Sequence, residues 1–479
     1  MTKYYTGILQ YIKGATRQFL LVIMLTAILP SCKKFVTVED PPDILTTDKV
    51  FADDRSATSA IVSIYIDMMN YQLAGEGAFV CFSMTAFGGF SGNELEWTQN
   101  NVTAPVYQEF SAHGLTPPNS FVTAFWKDGY KYIYRVNAIL EGIAASTGMT
   151  ADGKKLIEGE AKFIRGFCYF YLVNLFGDVP LILNTDYQAN RSIGRTPSAS
   201  VWEQILIDLK DAKQLLPANY PTPERLRPNS ATAGALLART YLYLERWAEA
   251  EAEANAIITS GVYGASLPAL DLVFKKESIE TIWQLQPVRA GINTNEGVFF
   301  LTAVDTRPNF EITQNLLSAF EPNDNRKTKW IGFSSPVADP GWAFPAKYKA
   351  GTSSTVTEYY IVFRLTEQYL IRAEARAHQA GSKLALAITD LNTVRSRAGL
   401  PAVNPGDQNA FYLAMEKERQ VEFFAEWGHR WLDLKRTNRA EAVLKPLSST
   451  NTWKQGLELY PIPANEIASN PFLVQNPGY

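Results

Sequence analysis

Residues 416–436 read EKERQVEFFAEWGHRWLDLKR, a run dense in both charge and large apolar side chains. At the 3.6-residue period Val421, Phe424, Ala425, Gly428, Trp431 and Leu432 fall on one stripe. That spacing predicts one helix over 416–436, with the stripe buried as a seam and the charged residues covering the rest. Glu426 stands four residues before Arg430, the spacing of an intrahelical ion pair worth roughly 0.2–0.5 kcal/mol when exposed.

Other segments carry the same period. Ile157, Ala161, Ile164, Cys168, Tyr171 and Leu175 step by four, three, four, three and four, and the pattern stops at Gly177 with Pro180 beyond. Phe121 to Ala145 brings Trp126, Tyr130, Ile133, Tyr134, Asn137 and Leu140 near one face, which reads as scaffold. Thr196-Pro197 precedes a further helix, VWEQILIDLKDAKQLLP. Asn229 to Ser260 reads as a helix pair in which Leu237, Ala238, Tyr241 and Ala250 keep tetratricopeptide spacing, with Ala254 where Phe is usual. A looser copy spans Phe363 to Ala398, broken at Gly381. The two copies lie far apart in the chain, which predicts a helical scaffold with a large insertion, about 262–360, rather than a continuous solenoid.

Two stretches lack a clean period. From Leu73 to about Ser120 the chain is rich in Gly, Asn, Thr and aromatics and reads as long loops, where function concentrates. The insertion contains the strand-like run TIWQLQ, then an irregular part bearing Trp330, Trp342, Phe344 and Tyr348. Flat aromatic faces beside amide or carboxylate groups can pack a loop or make a ligand surface, and composition does not choose between them. Asn93, Glu94, Trp97 and Tyr107 supply that mixture in the first stretch, and Trp342 is the best candidate in the second.

At the N-terminus, Lys3, Lys13 and Arg17 precede an apolar run from Phe19 to Leu29, and Leu29-Pro30-Ser31-Cys32 follows. A run this short reads as a secretory signal, since a spanning helix needs about 20 apolar residues. Residues 1–31 are therefore expected to be removed and 32–48 to form a polar tether, leaving 49–479 as one domain with parts at about 49–260 and 261–479. A cysteine just after such a boundary resembles the lipobox of bacterial lipoproteins, which makes Cys32 the lipidation site. Cys168 falls on an apolar helix face and reads as a buried thiol, although a pairing with Cys81 stays open.

The residues argue against most catalysis. Lys and Arg number 45 against 48 Asp and Glu, so no global field draws nucleic acid. His113, His378 and His429 lie in separate segments, and no metal-ligand spacing, nucleophile elbow or phosphate-binding loop occurs. No cofactor, metal or catalytic residue is assigned. Asp53-Asp54 and Asp324 read as turns rather than calcium ligands. A glycosidase needs only two carboxylates, for which Glu94 with Glu96, or Glu158 with Glu160, are the nominees.

Four phrases, in order, give the chain a family likeness: EAKFIRGFCYFYLVNLFGDVPL from Glu160, FEITQNLLSAFEPNDNRK from Phe310, the 416–436 run itself, and the terminal LYPIPANEIASNPFLVQNPGY. Together they resemble SusD/RagB proteins, the glycan-capturing outer-membrane lipoproteins of starch-utilisation-like systems. The resemblance implies a mostly α fold in which tetratricopeptide-like hairpins carry long irregular loops with minor β structure. It further implies a lipid-anchored, surface-exposed outer-membrane protein that captures an oligo- or polysaccharide and passes it to a SusC-like TonB-dependent transporter. A secreted helical glycoside hydrolase and a peptide-binding repeat scaffold are the alternatives.

Overall fold

A computed structural model describes residues 47–70, 79–99, 104–334, 341–379, 381–447, 453–454 and 456–479. The chain divides between Lys49 and Val50, and the fold that follows is that of Val50–Tyr479. Cys32, the signal segment and nearly all of the tether lie outside the described residues.

In chain order the elements are α1 (Asp54–Met69), α2 (Ser83–Ser91), β1 (Leu95–Trp97), α3 (Ala104–Ser111), α4 (Ser120–Ala145), α5 (Ala151–Phe176), α6 (Ser198–Leu215), α7 (Ser230–Tyr243) and α8 (Trp247–Thr259). The insertion supplies β2 (Thr281–Leu285), α9 (Asn295–Phe300), β3 (Phe310–Ile312), α10 (Gln314–Ala319), α11 (Asn325–Trp330), β4 (Ile331–Ser334), β5 (Trp342–Pro345) and β6 (Tyr360–Arg364). The chain then returns to helices α12 (Leu365–His378), α13 (Lys383–Arg397), α14 (Gln408–Phe423) and α15 (His429–Arg436).

Helix α5 is the axis of the N-terminal half. Its predicted stripe is buried, and so are Phe163, Phe167, Phe170 and Leu172 on its other sides. Thr150 caps its first turn by accepting from the Gly153 N–H at 3.0 Å, and Gly177 ends it at φ 72°. Gly159 and Gly166 let α6 approach closely: a Cβ at either would come within 2.9 Å of Leu216 or Leu209. The Arg165 guanidinium then forks onto Asp208 of α6 at 2.8 and 2.7 Å. On α4, Trp126 is buried as scaffold, whereas Tyr134 points out to solvent.

The helices α4, α5, α6, α7, α8, α12 and α13 each pack on the next. The array that looks interrupted in sequence is thus continuous in space, because α8 lies directly against α12 across the insertion. A buried fork from Arg239 of α7 to Glu367 of α12, at 2.6 and 2.7 Å, fixes that junction. The insertion does not disturb the array because its two ends zip together: β2 pairs antiparallel with β6, Thr281 opposite Arg364 and Leu285 opposite Tyr360.

Leu73–Ser120 contains α2 and α3, not only loops. Every residue of α2 is buried, so it shows no amphipathic period to read. Its glycines serve contact: a Cβ on Gly88 would lie 2.4 Å from the Gly428 Cα. The C-terminal segment is also not wholly extended. Ala464–Ser469 is a short helix starting just after Pro463, a position where proline costs no hydrogen bond. Asn476 anchors the rest by donating to the Phe176 and Tyr460 carbonyls at 2.9 and 2.7 Å.

The expected single helix over 416–436 is two helices. Between α14 and α15 the chain turns through Ala425 (φ 50°), Trp427 (φ 50°) and Gly428 (φ 68°), left-handed residues that cost roughly 1–2 kcal/mol each when not glycine. Trp427 holds the turn by stacking on Tyr360 at 4.9 Å and donating its indole N–H to the Ile361 carbonyl at 2.9 Å. The predicted seam residues are buried, but so are Glu418, Arg419, Glu422, Glu426, Arg430 and Asp433, which sequence reasoning had placed in solvent. Glu426 and Arg430 do not pair. Glu426 is bound by Arg364 and Lys347, and Arg430 by Glu416.

Those buried charges form one hub. Arg364 of β6 bonds Glu422 at 2.6 Å and Glu426 at 2.9 Å; Arg326 of α11 bonds Glu418 at 2.6 Å, Glu422 at 2.9 Å and Asp324 at 2.9 Å. Arg397 of α13 reaches Glu422 and Glu280. Burial alone would raise the Glu422 carboxyl, yet Arg397, Arg364, Arg326 and Lys347 outweigh it and hold that group well below the usual carboxylate range.

Glu94 is the opposite case. Burial raises it to about 8 against the pull of Arg430 and Lys347, and its carboxyl accepts a long bond, 3.4 Å, from the Ala425 N–H. The sign of each pH effect follows. Glu422, depressed in the folded state, contributes stability that is present above its unfolded value near 4.5 and lost as pH falls below it. Glu94, raised, keeps a proton that the unfolded chain releases between 4.5 and about 8, so stability declines as pH rises through that window. Glu422→Gln is expected to destabilise by about 3–5 kcal/mol at neutral pH and to flatten the acid limb of stability. Glu94→Gln is expected to stabilise by on the order of 1–3 kcal/mol near the top of its window and hardly at all at its foot. Urea midpoints across pH check both, and equal midpoints for Glu94→Gln and wild type throughout would refute the second.

Candidate functional site

The two stretches nominated from sequence meet through strands. β1 pairs antiparallel with β3, Leu95 opposite Ile312, Glu96 opposite Glu311 and Trp97 opposite Phe310. β3 in turn packs against β5, which pairs with β4 so that Trp342 stands opposite Ser334.

Strand parity sorts the candidates. Leu95 and Trp97 share one face of β1, and that face looks inward. Trp97 is half-buried, stacked on Tyr107 at 4.3 Å and 15° and edge-on to Phe310 at 5.1 Å. Among the described residues its indole N–H meets no acceptor. Tyr107 is buried beneath it, against Phe87, Phe90 and Phe121, so it supports the platform and does not face solvent. Glu94 is likewise buried, 1% exposed, and its carboxyl points at the α14–α15 turn instead of outward. Asn93 is half-buried in a left-handed turn (φ 55°), its carbonyl taken by the Thr313 hydroxyl at 2.8 Å. Of the expected first cluster, Asn93 and Trp97 therefore keep partial access, while Glu94 and Tyr107 are corrected to interior positions.

The outward face carries a different set. Glu96 is exposed and opposite Glu311, and burial together with Glu311 raises its carboxyl, opposed by Arg307. Arg307 bonds Glu311 at 2.8 Å and places its guanidinium 5.8 Å over the Trp342 ring. Trp342 remains half-exposed, whereas Trp330, Phe344 and Tyr348, which the sequence had grouped with it, are buried in the core. Trp330 and Phe274 flank the Lys347 ammonium at 4.7 and 5.5 Å. Sequence reasoning missed Arg307 and Glu311 because nothing in TRPNFEIT signals that the chain returns to pair with 95–97.

The remaining sequence nominees have structural partners. Glu160 is buried against Arg227 and accepts from the Tyr65 hydroxyl at 2.7 Å, so Glu158 and Glu160 form no pair. Asp53 and Asp324 cap helices, accepting from the Ser56 and Arg326 N–H groups at 2.8 and 2.9 Å, and Asp54 accepts from Thr150. Among the described residues no group of three or more His, Cys, Asp or Glu converges on a metal-sized point, and no helix is long and apolar enough to cross a membrane. Cys81 and Cys168 are buried and unpaired.

Comparison with known proteins accords with this architecture. Residues 59–242 match a SusD-like family described as "Starch-binding associating with outer membrane", and residues 340–479 match the SusD family. A SusD-like protein of Formosa agariphila is 23% identical over 515 residues, covering 93% of this chain and 95% of its own. A SusD superfamily protein from Bacteroides vulgatus superposes with a TM-score of 0.79 at 21% identity, covering 89% of this chain and 99% of the other. A laminarin-binding SusD-like protein superposes with a TM-score of 0.74 at 25% identity, covering 89% and 99%. With both halves matched in order and the helical array shared with solved relatives, this chain belongs to the SusD family.

Proposed function

We propose that this protein captures an oligo- or polysaccharide on the outward face of the β1–β3–β5 junction and hands it to a SusC-like TonB-dependent outer-membrane transporter. The observation that carries the reading is the grouping of a half-exposed indole, Trp342, with the Arg307–Glu311 pair and Glu96 on one face. A sugar ring offers an apolar face to the indole, and its hydroxyls take hydrogen bonds from a guanidinium and give them to carboxylates. Trp97, on the other face of β1, and Asn93 keep partial access at the strand edge, with Trp97 stacked on Tyr107. The capture reading is supported by the family description and by the laminarin-binding relative. Cys32 serves as the lipidated residue that holds the chain at the outer membrane.

The same face tests the hydrolase alternative, because Glu96 and Glu311 stand opposite each other where Glu94 and Glu96 do not. A polysaccharide panel against the detergent-solubilised full chain, reading affinity and new reducing ends in one sample, separates the two. Binding without cleavage is expected, with Trp342→Ala losing at least about tenfold in affinity, about 1.4 kcal/mol, and Arg307→Ala somewhat less. Undiminished affinity in a Trp97→Ala/Trp342→Ala double variant would remove this face from the mechanism, and release of reducing ends would replace capture with hydrolysis.

A further inference from the structure

A cavity of about 480 Å³ opens between α8, α12, α14 and α15 and shares no residue with the face described above. Its volume lies within the ~300–1,000 Å³ of small-molecule sites. One wall is a stack of rings from three helices. His378 lies parallel to Trp247 at 3.8 Å and 2°, and also stacks on Tyr412 at 4.5 Å and 27°. Trp247 and Tyr412 are half-buried and line the space. The Tyr412 hydroxyl accepts from the Gln408 amide at 2.7 Å, which leaves its own O–H to donate.

The charged residues of the lining are spent on one another. Asp433 takes Arg419 at 2.6 Å and Arg436 at 2.8 Å, and Glu374 takes Arg436 at 2.6 and 2.8 Å. Glu416 takes Arg430 at 3.3 Å and Arg439 at 3.0 Å. With Glu245 at the exposed rim, these arginines are matched by an equal number of acids. Burial lowers the His378 imidazole, so that ring is uncharged at neutral pH. A charged ligand would leave water here without meeting a spare counter-charge, which is costly.

What the lining leaves open is an amide. Gln420 of α14 lines the cavity, is 8% exposed and has no hydrogen-bond partner among the described residues. The leftover guanidinium donors, Arg419 Nη1 and Arg430 Nε, are sealed inside the protein, whereas the Gln420 amide still meets the space. A nearly buried amide is costly to leave unpaired. It carries both donors and an acceptor, and its uncharged counterpart is a hydroxyl, which also does both.

We propose that this cavity is a saccharide site separate from the β1–β3–β5 face, taking a neutral pyranose. The C–H face of the ring lies against the Trp247–His378–Tyr412 wall, and its hydroxyls pair with the Gln420 amide and the Tyr412 O–H.

Calorimetric titration of the full chain with D-glucose, D-galactose and D-mannose, each beside the uronate of the same configuration, tests the recognition. The titrations are run in wild type and in Trp342→Ala, which sets the other face aside. At least one neutral sugar is expected to bind in both, at least about tenfold more tightly than its uronate. Gln420→Leu keeps the side chain's size and touches no ion pair, so it is expected to weaken binding at least about tenfold at an unchanged or raised melting temperature. Leu413 lines the cavity at 62% exposure, and Leu413→Trp is expected to abolish binding by filling the space. No neutral sugar bound up to about 50 mM, a uronate bound as tightly as its neutral sugar, full affinity in Gln420→Leu or Leu413→Trp, or loss of binding in Trp342→Ala would each overturn the proposal. Loss of polysaccharide capture in Trp342→Ala with monosaccharide binding kept would support it, and the two sites are thereby read apart.

Discussion

A carboxylate removed from water has to be surrounded by positive charge, and Glu422 is such a group. Its partners come from elements far apart in the chain: Arg326 from α11, Arg364 from β6 and Arg397 from α13, with Lys347 acting on it through the same space. The full set is made only when the insertion, the second helix hairpin and α14 are all in place. Buried ion pairs add little net stability over apolar packing, but a missing partner leaves a charge that costs several kcal/mol. The hub therefore selects one arrangement of the C-terminal half by penalising the others.

The rest of the molecule follows from where that arrangement leaves its strands. The helical array supplies the body, with buried arginine forks joining α5 to α6 (Arg165–Asp208), α7 to α12 (Arg239–Glu367) and α12 to α13 (Arg372–Asp390). Of the three strand pairs, β2–β6 packs on α5 and α7, while β1–β3 and β4–β5 join irregular segments to one another. β1–β3 is the pair that joins the N-terminal loop region to the insertion, and the outward face of that junction carries Trp342, Arg307, Glu311 and Glu96.

Much of the fold was legible in the sequence, and the reason is periodicity. α4, α6, α8 and α13 bury one stripe against a neighbour, and a stripe leaves a mark in the chain; α5, α7 and α12 are buried on further sides but keep the apolar spacing of their contact faces. α2 leaves none because it is buried on every side, and its glycines are dictated by contact with Gly428, a residue far along the chain. The break at Ala425–Gly428 was hidden for a related reason. Charged residues on a helical pattern read as a solvated face, and only the position of Arg364, Arg326 and Lys347 shows that Glu418, Glu422 and Glu426 point inward. At the β1–β3–β5 junction, strand parity, set by pairing with 310–312, decides which of the nominated residues faces out. Glu94 and Tyr107 fell on the inner side of that division and Arg307 and Glu311 on the outer.

The antiparallel closure of β2 on β6 has a consequence for how such proteins diversify. A segment whose entrance and exit lie side by side can be exchanged as a cassette, because the surrounding helices need not move to accept a longer or shorter one. Here the cassette also contributes Arg326, Lys347 and Arg364 to Glu418, Glu422 and Glu426, acids of α14 and the turn after it. An incoming segment seats only if it brings matching cations to those positions, so the hub works as a keyed socket that lets the irregular loops be exchanged while rejecting replacements that do not fit it.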